Sequence, residues 1–163
     1  MDFTSLFDYS GAGGAKTSES GEALVFLAHA TPDDWAKLID HTEARRFAAG
    51  DVVVREGSAA QELYIVTRGS LEVLVEGDKA GELRKIAAIE PGSVFGEQSF
   101  FDGQPRSASV RALSDGEIRS LTVPAFEVLA AKEPALARAV LFDLARILSI
   151  RLRQTTGRVR ALA

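Results

Sequence analysis

The chain has 163 residues, a net charge of −4, 46% hydrophobic residues and no cysteine. That length fits one domain with a self-sufficient core. The missing thiols exclude disulfides, thiolate metal sites and cysteine nucleophiles, and two histidines, His29 and His41, are too few for a histidine-rich metal centre. Charge is unevenly spread: from Lys132 onward seven basic residues stand against two acidic ones, a net +5 that leaves −9 on the remainder. A basic tail can touch nucleic acid or anionic lipid; the simpler reading is a helix whose positive end complements its own dipole and an acidic body. No apolar run approaches the roughly 18 residues needed to span a bilayer. Residues 1–10 carry two aspartates and no basic region, so no secretory signal is read there and the expected location is the cytoplasm.

In chain order, residues 1–21 read as a flexible arm, small and polar from Ser10 to Gly21. Its GAGGAKTS string imitates a triphosphate loop, but Ala15 stands where glycine must precede the lysine, and no buried strand leads into it. Residues 22–42 read as N-terminal helices. Glu22–Ala30 is apolar around Leu24, Val25 and Leu27; Thr31 is the N-cap of a second helix, with Pro32 at its first position, Asp33 and Asp34 in its first turn, and Trp35, Leu38 and Ile39 on one face.

From 43 to 122 the period changes to short valine- and isoleucine-rich runs separated by turns. Strands are predicted at Ala44–Phe47, Val52–Arg55, Leu63–Thr67, Leu71–Val75, Leu83–Ile89, Ser93–Phe95, Ser107–Ala112 and Gly116–Thr122, with Arg68-Gly69-Ser70 a hairpin signal. Eight such strands imply an antiparallel sandwich or barrel, read here as an eight-stranded, jelly-roll-like β-roll. From 123 to 157 the period is helical again. A short helix, Ala125–Lys132, follows Pro124, and a long one runs from Pro134 to Thr156 and breaks at Gly157. The long helix is apolar on more than one narrow stripe. Either one face packs on the roll while another meets a second copy, or a single broad face is buried. The fold class is mainly β with flanking helices.

The chemistry concentrates in residues 95–110, FGEQSFFDGQPRSASV. Gly96 permits close backbone approach, and the turn of helix after it offers unpaired N–H groups of Gln98 and Ser99. Arg106 can fork onto two phosphate oxygens, and Ser107 adds a hydroxyl donor. Glu97 repels an anion but suits a neighbouring sugar hydroxyl, and in an empty site Glu97 and Arg106 would balance each other. The set wants an anion beside a sugar hydroxyl.

Phe95-Gly96-Glu97 and Pro105-Arg106-Ser107-Ala108-Ser109-Val110, at this separation, resemble the phosphate-binding cassette of the cyclic-nucleotide-binding domain family, the type found in cAMP receptor proteins and protein kinase A regulatory subunits. The similarity extends over roughly Leu24–Thr156, and Gly69 and Gly92 match family turn positions. The resemblance implies that Glu97 accepts from the ribose 2′-OH and Arg106 pairs with the cyclic phosphate. It implies further that the Gln98 and Ser99 backbone and the Ser107 side chain donate to phosphate oxygens, and that Ile86 and Ala88 line the base. Gln98 departs from the apolar residue usual there, which loosens packing of the short helix. Serine at 107 is ambiguous between cAMP and cGMP, with cAMP favoured. From the last helix Arg153 is expected to stack over the purine, and Thr155 and Thr156 to bond its amino group; a solvated helix end is the plainer reading of all three.

The expected protein is therefore a sensor, with no cofactor, metal or reaction of its own, that relays ligand capture through its C-terminal helices to an unknown protein effector. Phosphate capture would draw the short helix inward, repack Phe100 or Phe101, and close the helices over the base. No DNA reader fits after Ala163 and no membrane is expected; a homodimer through the long helix is one option. The rival readings are a ligand-free interaction module in which Glu97 and Arg106 merely pair, a DNA-binding regulator, and a cupin-like metal enzyme, which would need clustered histidines.

Overall fold

The computed structural model describes residues 24–162. Helix α1 (Pro32–Ile39) leads into eight strands: β1 (Glu43–Phe47), β2 (Val52–Val54), β3 (Leu63–Arg68), β4 (Leu71–Glu76), β5 (Leu83–Ile89), β6 (Val94–Phe95), β7 (Ser109–Ala112) and β8 (Gly116–Leu121). A short helix, α2 (Glu97–Asp102), interrupts them between β6 and β7, and α3 (Val123–Lys132) and α4 (Pro134–Leu162) close the chain. The strands form two four-stranded antiparallel sheets in the orders β1-β8-β3-β6 and β2-β7-β4-β5. This is the mainly-β roll with helices at both ends that the periodicity anticipates.

Strand β3 explains how two cores share one sheet. Leu63 and Ile65 face a core made with Phe26, Trp35, Leu38, Phe126, Leu129, Val140, Leu144 and Ile147 of the helical layer. Tyr64 and Val66, on the other face, join Phe47, Leu71, Phe95, Val110 and Ile118 inside the roll. A strand covered on both faces reads as a continuous apolar run rather than an alternation, as Leu63-Tyr64-Ile65-Val66 does.

Three expectations need correction. Residues 24–30 form irregular turns rather than a helix. Two of their amides are taken by distant partners, with Phe26 N–H donating to the Gly92 carbonyl at 2.9 Å and Leu27 N–H to Asp143 Oδ2 at 2.7 Å, and Leu27 adopts φ 50°. Those bonds replace the ladder a helix would require. Helix α4 passes through Gly157 to Leu162: an interior glycine costs a helix about 1 kcal/mol but blocks no hydrogen bond. Strand β7 begins at Ser109, two residues later than expected, because Ser107 and Ala108 still belong to the bend that leaves α2. The 1–21 arm lies outside the described residues.

Candidate ligand site

The roll brings the 95–110 segment and the second half of α4 to one cavity of about 240 Å³, lined by β5, the start of α2, the 106–108 bend and α4. Gly96, at φ 80°, is the N-cap residue of α2 and supplies no side-chain cap, so the first amides of the helix open toward this space. A side chain at 96 has no room: a Cβ there would lie 2.7 Å from both Arg106 Nη1 and the Glu62 carbonyl oxygen. Glycine is thus required twice, for the left-handed backbone and for the seat of the arginine.

Arg106 is 4% exposed. Its Nη1 donates to the Gly96 carbonyl at 3.0 Å and its Nη2 to the Glu62 carbonyl at 2.8 Å, while Glu62 Oε2 stands 3.7 Å away. The guanidinium carbon lies 5.4 Å from the Tyr64 ring centroid, and that ring stacks on Phe95 at 4.9 Å. The Nε is buried and without a partner. Burying a cation while leaving one of its donors unused is costly, and such a group is poised for an anion. Burial, followed by the nearby Glu62 carboxylate, raises the pKa of Tyr64 above its usual value, so the ring meets the guanidinium as a neutral phenol that donates to Glu62 Oε2 at 2.9 Å.

Glu97 is 5% exposed and does not pair with Arg106, contrary to expectation. Its counter-ion is Arg151 of α4, whose Nη1 reaches Glu97 Oε1 at 2.5 Å and whose Nη2 donates to the Val94 carbonyl at 2.7 Å. The two cassette charges therefore have separate partners, Glu62 for the cation and Arg151 for the anion. Arg151, like Glu62 and Arg158, is a site residue to which the sequence reading gave no role; its signal was one helical turn of separation from Thr155, which puts both on the same face of α4.

The remaining candidates divide. Gly96, Glu97, Gln98, Ser99, Arg106, Ser107, Ile86, Ala88 and Thr155 all border the cavity. Arg153 and Thr156 do not; both are exposed on α4, and the Thr156 hydroxyl donates back to the Leu152 carbonyl at 3.0 Å. Arg158 borders the cavity where Arg153 was expected, its Nη1 donating to the Ile86 carbonyl of β5 at 2.8 Å. Gln98 is held by the Ser107 hydroxyl, which donates to Gln98 Oε1 at 2.8 Å, so the polar residue in place of an apolar one finds a partner within the site. Phe100 is buried against Phe126, with ring centroids 5.8 Å apart, while Phe101 is 45% exposed. No cluster of metal-ligating side chains occurs among the described residues.

Residues 44–133 match the family model described as "Cyclic nucleotide-binding domain". Among curated proteins the chain is similar to the cAMP-activated global transcriptional regulator Vfr of Pseudomonas aeruginosa, 30% identical over 78% of this chain and 59% of that protein. It is also similar to the cAMP-dependent protein kinase regulatory subunit of Emericella nidulans, 29% identical over 66% of this chain and 25% of the relative. The chain thus spans less than two thirds of the length of these relatives. Among solved structures, the catabolite activator protein of Thermus thermophilus superposes with a TM-score of 0.74 at 27% identity, covering 83% of this chain and 62% of that one.

Proposed function

Because the chain belongs to the cyclic nucleotide-binding domain family, we propose that it is a cytoplasmic cyclic-nucleotide sensor, selective for cAMP over cGMP, and a binding module rather than a catalyst. The observation that carries this is Arg106: a buried guanidinium with an unused donor, beside the open amide end of α2 and within one cavity of a buried carboxylate. In this reading the cyclic phosphate sits between Arg106 and the amides of Gln98 and Ser99, the ribose 2′-OH donates to Glu97, and the base lies along Ile86 and Ala88. Thr155, whose hydroxyl proton goes to the Arg151 carbonyl at 3.0 Å, keeps lone pairs free to accept from an exocyclic amino group. The names of the cAMP-activated and cAMP-dependent relatives support that choice of messenger.

The Arg151–Glu97 pair supplies the relay. Any ligand group that engages Glu97 alters the bond that fixes α4 to the cassette, so capture is felt by the helix. Ligand shifts the helix only by the difference in its affinity for the two positions. Along α4, Leu141, Ala145, Leu148, Leu152, Thr155, Val159 and Leu162 repeat at three- and four-residue steps, and Leu152, Val159 and Leu162 are more than 60% exposed. This seam suits a second copy of the chain, and a protein effector would read the rearranged helices.

Isothermal titration with cAMP and cGMP tests the reading. Saturable one-to-one binding is expected, tighter for cAMP, and Arg106→Ala should weaken it by about 2–5 kcal/mol, as when one partner of a buried charge contact is lost. Unchanged affinity in that variant overturns the assignment. One observation favours a second reading: Glu97 already has an internal cation, which would suit a module that keeps the fold for protein contacts and takes no nucleotide. That reading expects no heat with either messenger.

A further inference from the structure

A second concavity, larger than the first, lies along the first half of α4. It has a volume of about 860 Å³ and runs between the 25–30 segment and the first half of the helix. Its walls are tied together at the base, where Leu27 N–H donates to Asp143 at 2.7 Å and Arg146 Nη2 donates to the Val25 carbonyl at 2.9 Å. Leu136 is buried beneath it and Ala135 and Ala139 leave it wide, while Phe142 on its rim is 77% exposed. An aromatic ring left this open beside an apolar cleft marks a surface that something covers.

We propose that this cleft is the docking site of the chain's own first nine residues, Met1–Tyr9, through Phe3, Leu6 and Phe7. Three features point to this occupant. Phe3, Leu6 and Phe7 stand at i, i+3 and i+4, the spacing by which a peptide presents one apolar face to a groove. Asp2 and Asp8 flank them with negative charge, and Arg138, exposed on the cleft's border, makes no ion pair among the described residues. The tether also has the right length and start. Ser10–Ala23 joins the segment to Leu24, immediately before the cleft wall at Val25, and its fourteen residues can span up to about 45 Å. Such a tether holds the segment at an effective concentration on the order of millimolar, so a weak contact suffices. Two phenylalanines would each bury about 150–250 Å² there, which gives the apolar N-terminal cluster a role that the nucleotide site does not use.

The absence of cysteine makes the test direct, since introduced thiols are the only ones. In the full chain, Phe7→Cys is combined with Ala139→Cys in the cleft, or with Leu113→Cys, an exposed position in the loop between β7 and β8, as control. Under mild oxidation the cleft pair should close within one chain at least about fivefold faster than the control. In a separate full-chain variant carrying Phe142→Cys, maleimide labelling should accelerate about tenfold when Phe3, Leu6 and Phe7 are all changed to Ser, with the thermal unfolding midpoint showing that the domain stays folded. Disulfides formed chiefly between chains would assign the cleft to a second copy's segment and overturn the proposal. Equal closure rates with unchanged labelling would leave the cleft to a separate protein and overturn it as well. Neither measurement involves a nucleotide, so the outcome is independent of the sensor reading.

Discussion

At Gly96 one missing methyl group decides whether the arginine can sit. Gly96→Ala must strain a left-handed backbone and push a Cβ to 2.7 Å from Arg106 Nη1, so nucleotide binding should fall at least as far as in Arg106→Ala, by about 2–5 kcal/mol, measured by titration. Arg151 is the counterpart on the acidic side. Arg151→Ala strips from a carboxylate whose side chain is 6% exposed its one charged partner among the described residues, and the unpaired group should cost about 1–3 kcal/mol of stability in urea unfolding. Arg151→Lys should recover only part, since a lysine cannot serve Glu97 and the Val94 carbonyl with one planar fork. The sequence made Glu97 and Arg106 conspicuous because both sit in one short segment. It hid their partners because Glu62 and Arg151 lie 44 and 54 residues away from them, a pairing only the closed roll creates.

At the scale of elements, local chemistry was the most readable part. Thr31 caps α1 as its sequence indicates: its hydroxyl accepts from Asp34 N–H at 3.1 Å while its own N–H donates to Asp34 Oδ2 at 2.9 Å. Thr31→Ala should destabilise the domain by about 1 kcal/mol, as removal of such a cap does, read from the urea midpoint. The same box predicts a pH response. Hydrogen bonds from the Thr31 backbone, then its side chain, lower the Asp34 pKa from its ordinary value. A carboxylate with a depressed folded pKa stabilises above its unfolded pKa and loses that contribution as pH falls through the folded one. The wild type should therefore lose α1 stability below about pH 4, and Asp34→Asn should flatten that limb of the pH profile. Where elements were misread, long-range bonds overrode a local signal. Leu24–Ala30 has the apolar content of a helix, but Asp143 and Gly92, far along the chain, claim two of its amides. Gly157 looks like a stop, but the residues after it, Arg158 to Leu162, are ordinary helix formers and continue the spiral.

On the scale of the whole molecule, the eight strands and the flanking helices followed from periodicity, whereas the division into two cores and the sorting of α4's apolar residues did not. Its apolar residues were too numerous for one stripe, and the structure sorts them: Leu136, Val140, Leu144 and Ile147 enter the core, while Leu141, Leu152, Val159 and Leu162 remain exposed. A buried residue and a waiting interface residue are spelled with the same letters. Replacing Leu152 and Val159 by Glu should leave the unfolding midpoint of the monomer nearly unchanged and abolish any dimer seen by sedimentation equilibrium, since both side chains are more than 60% exposed.

The depth at which α4 leaves the core has a mechanical meaning. Ile147 is its last buried residue, so the fifteen positions beyond it form a rod about 22 Å long at 1.5 Å per residue. Among the described residues that rod is hooked to the roll by two arginines that border the smaller cavity, Arg151 through Glu97 and the Val94 carbonyl and Arg158 through the Ile86 carbonyl. It is a lever with its fulcrum at Ile147: unhooking either clasp and letting the rod swing by about 10° would carry its tip about 4 Å. In the proposed sensor, a change of bonding at either clasp would reach an effector surface as a displacement of several ångströms.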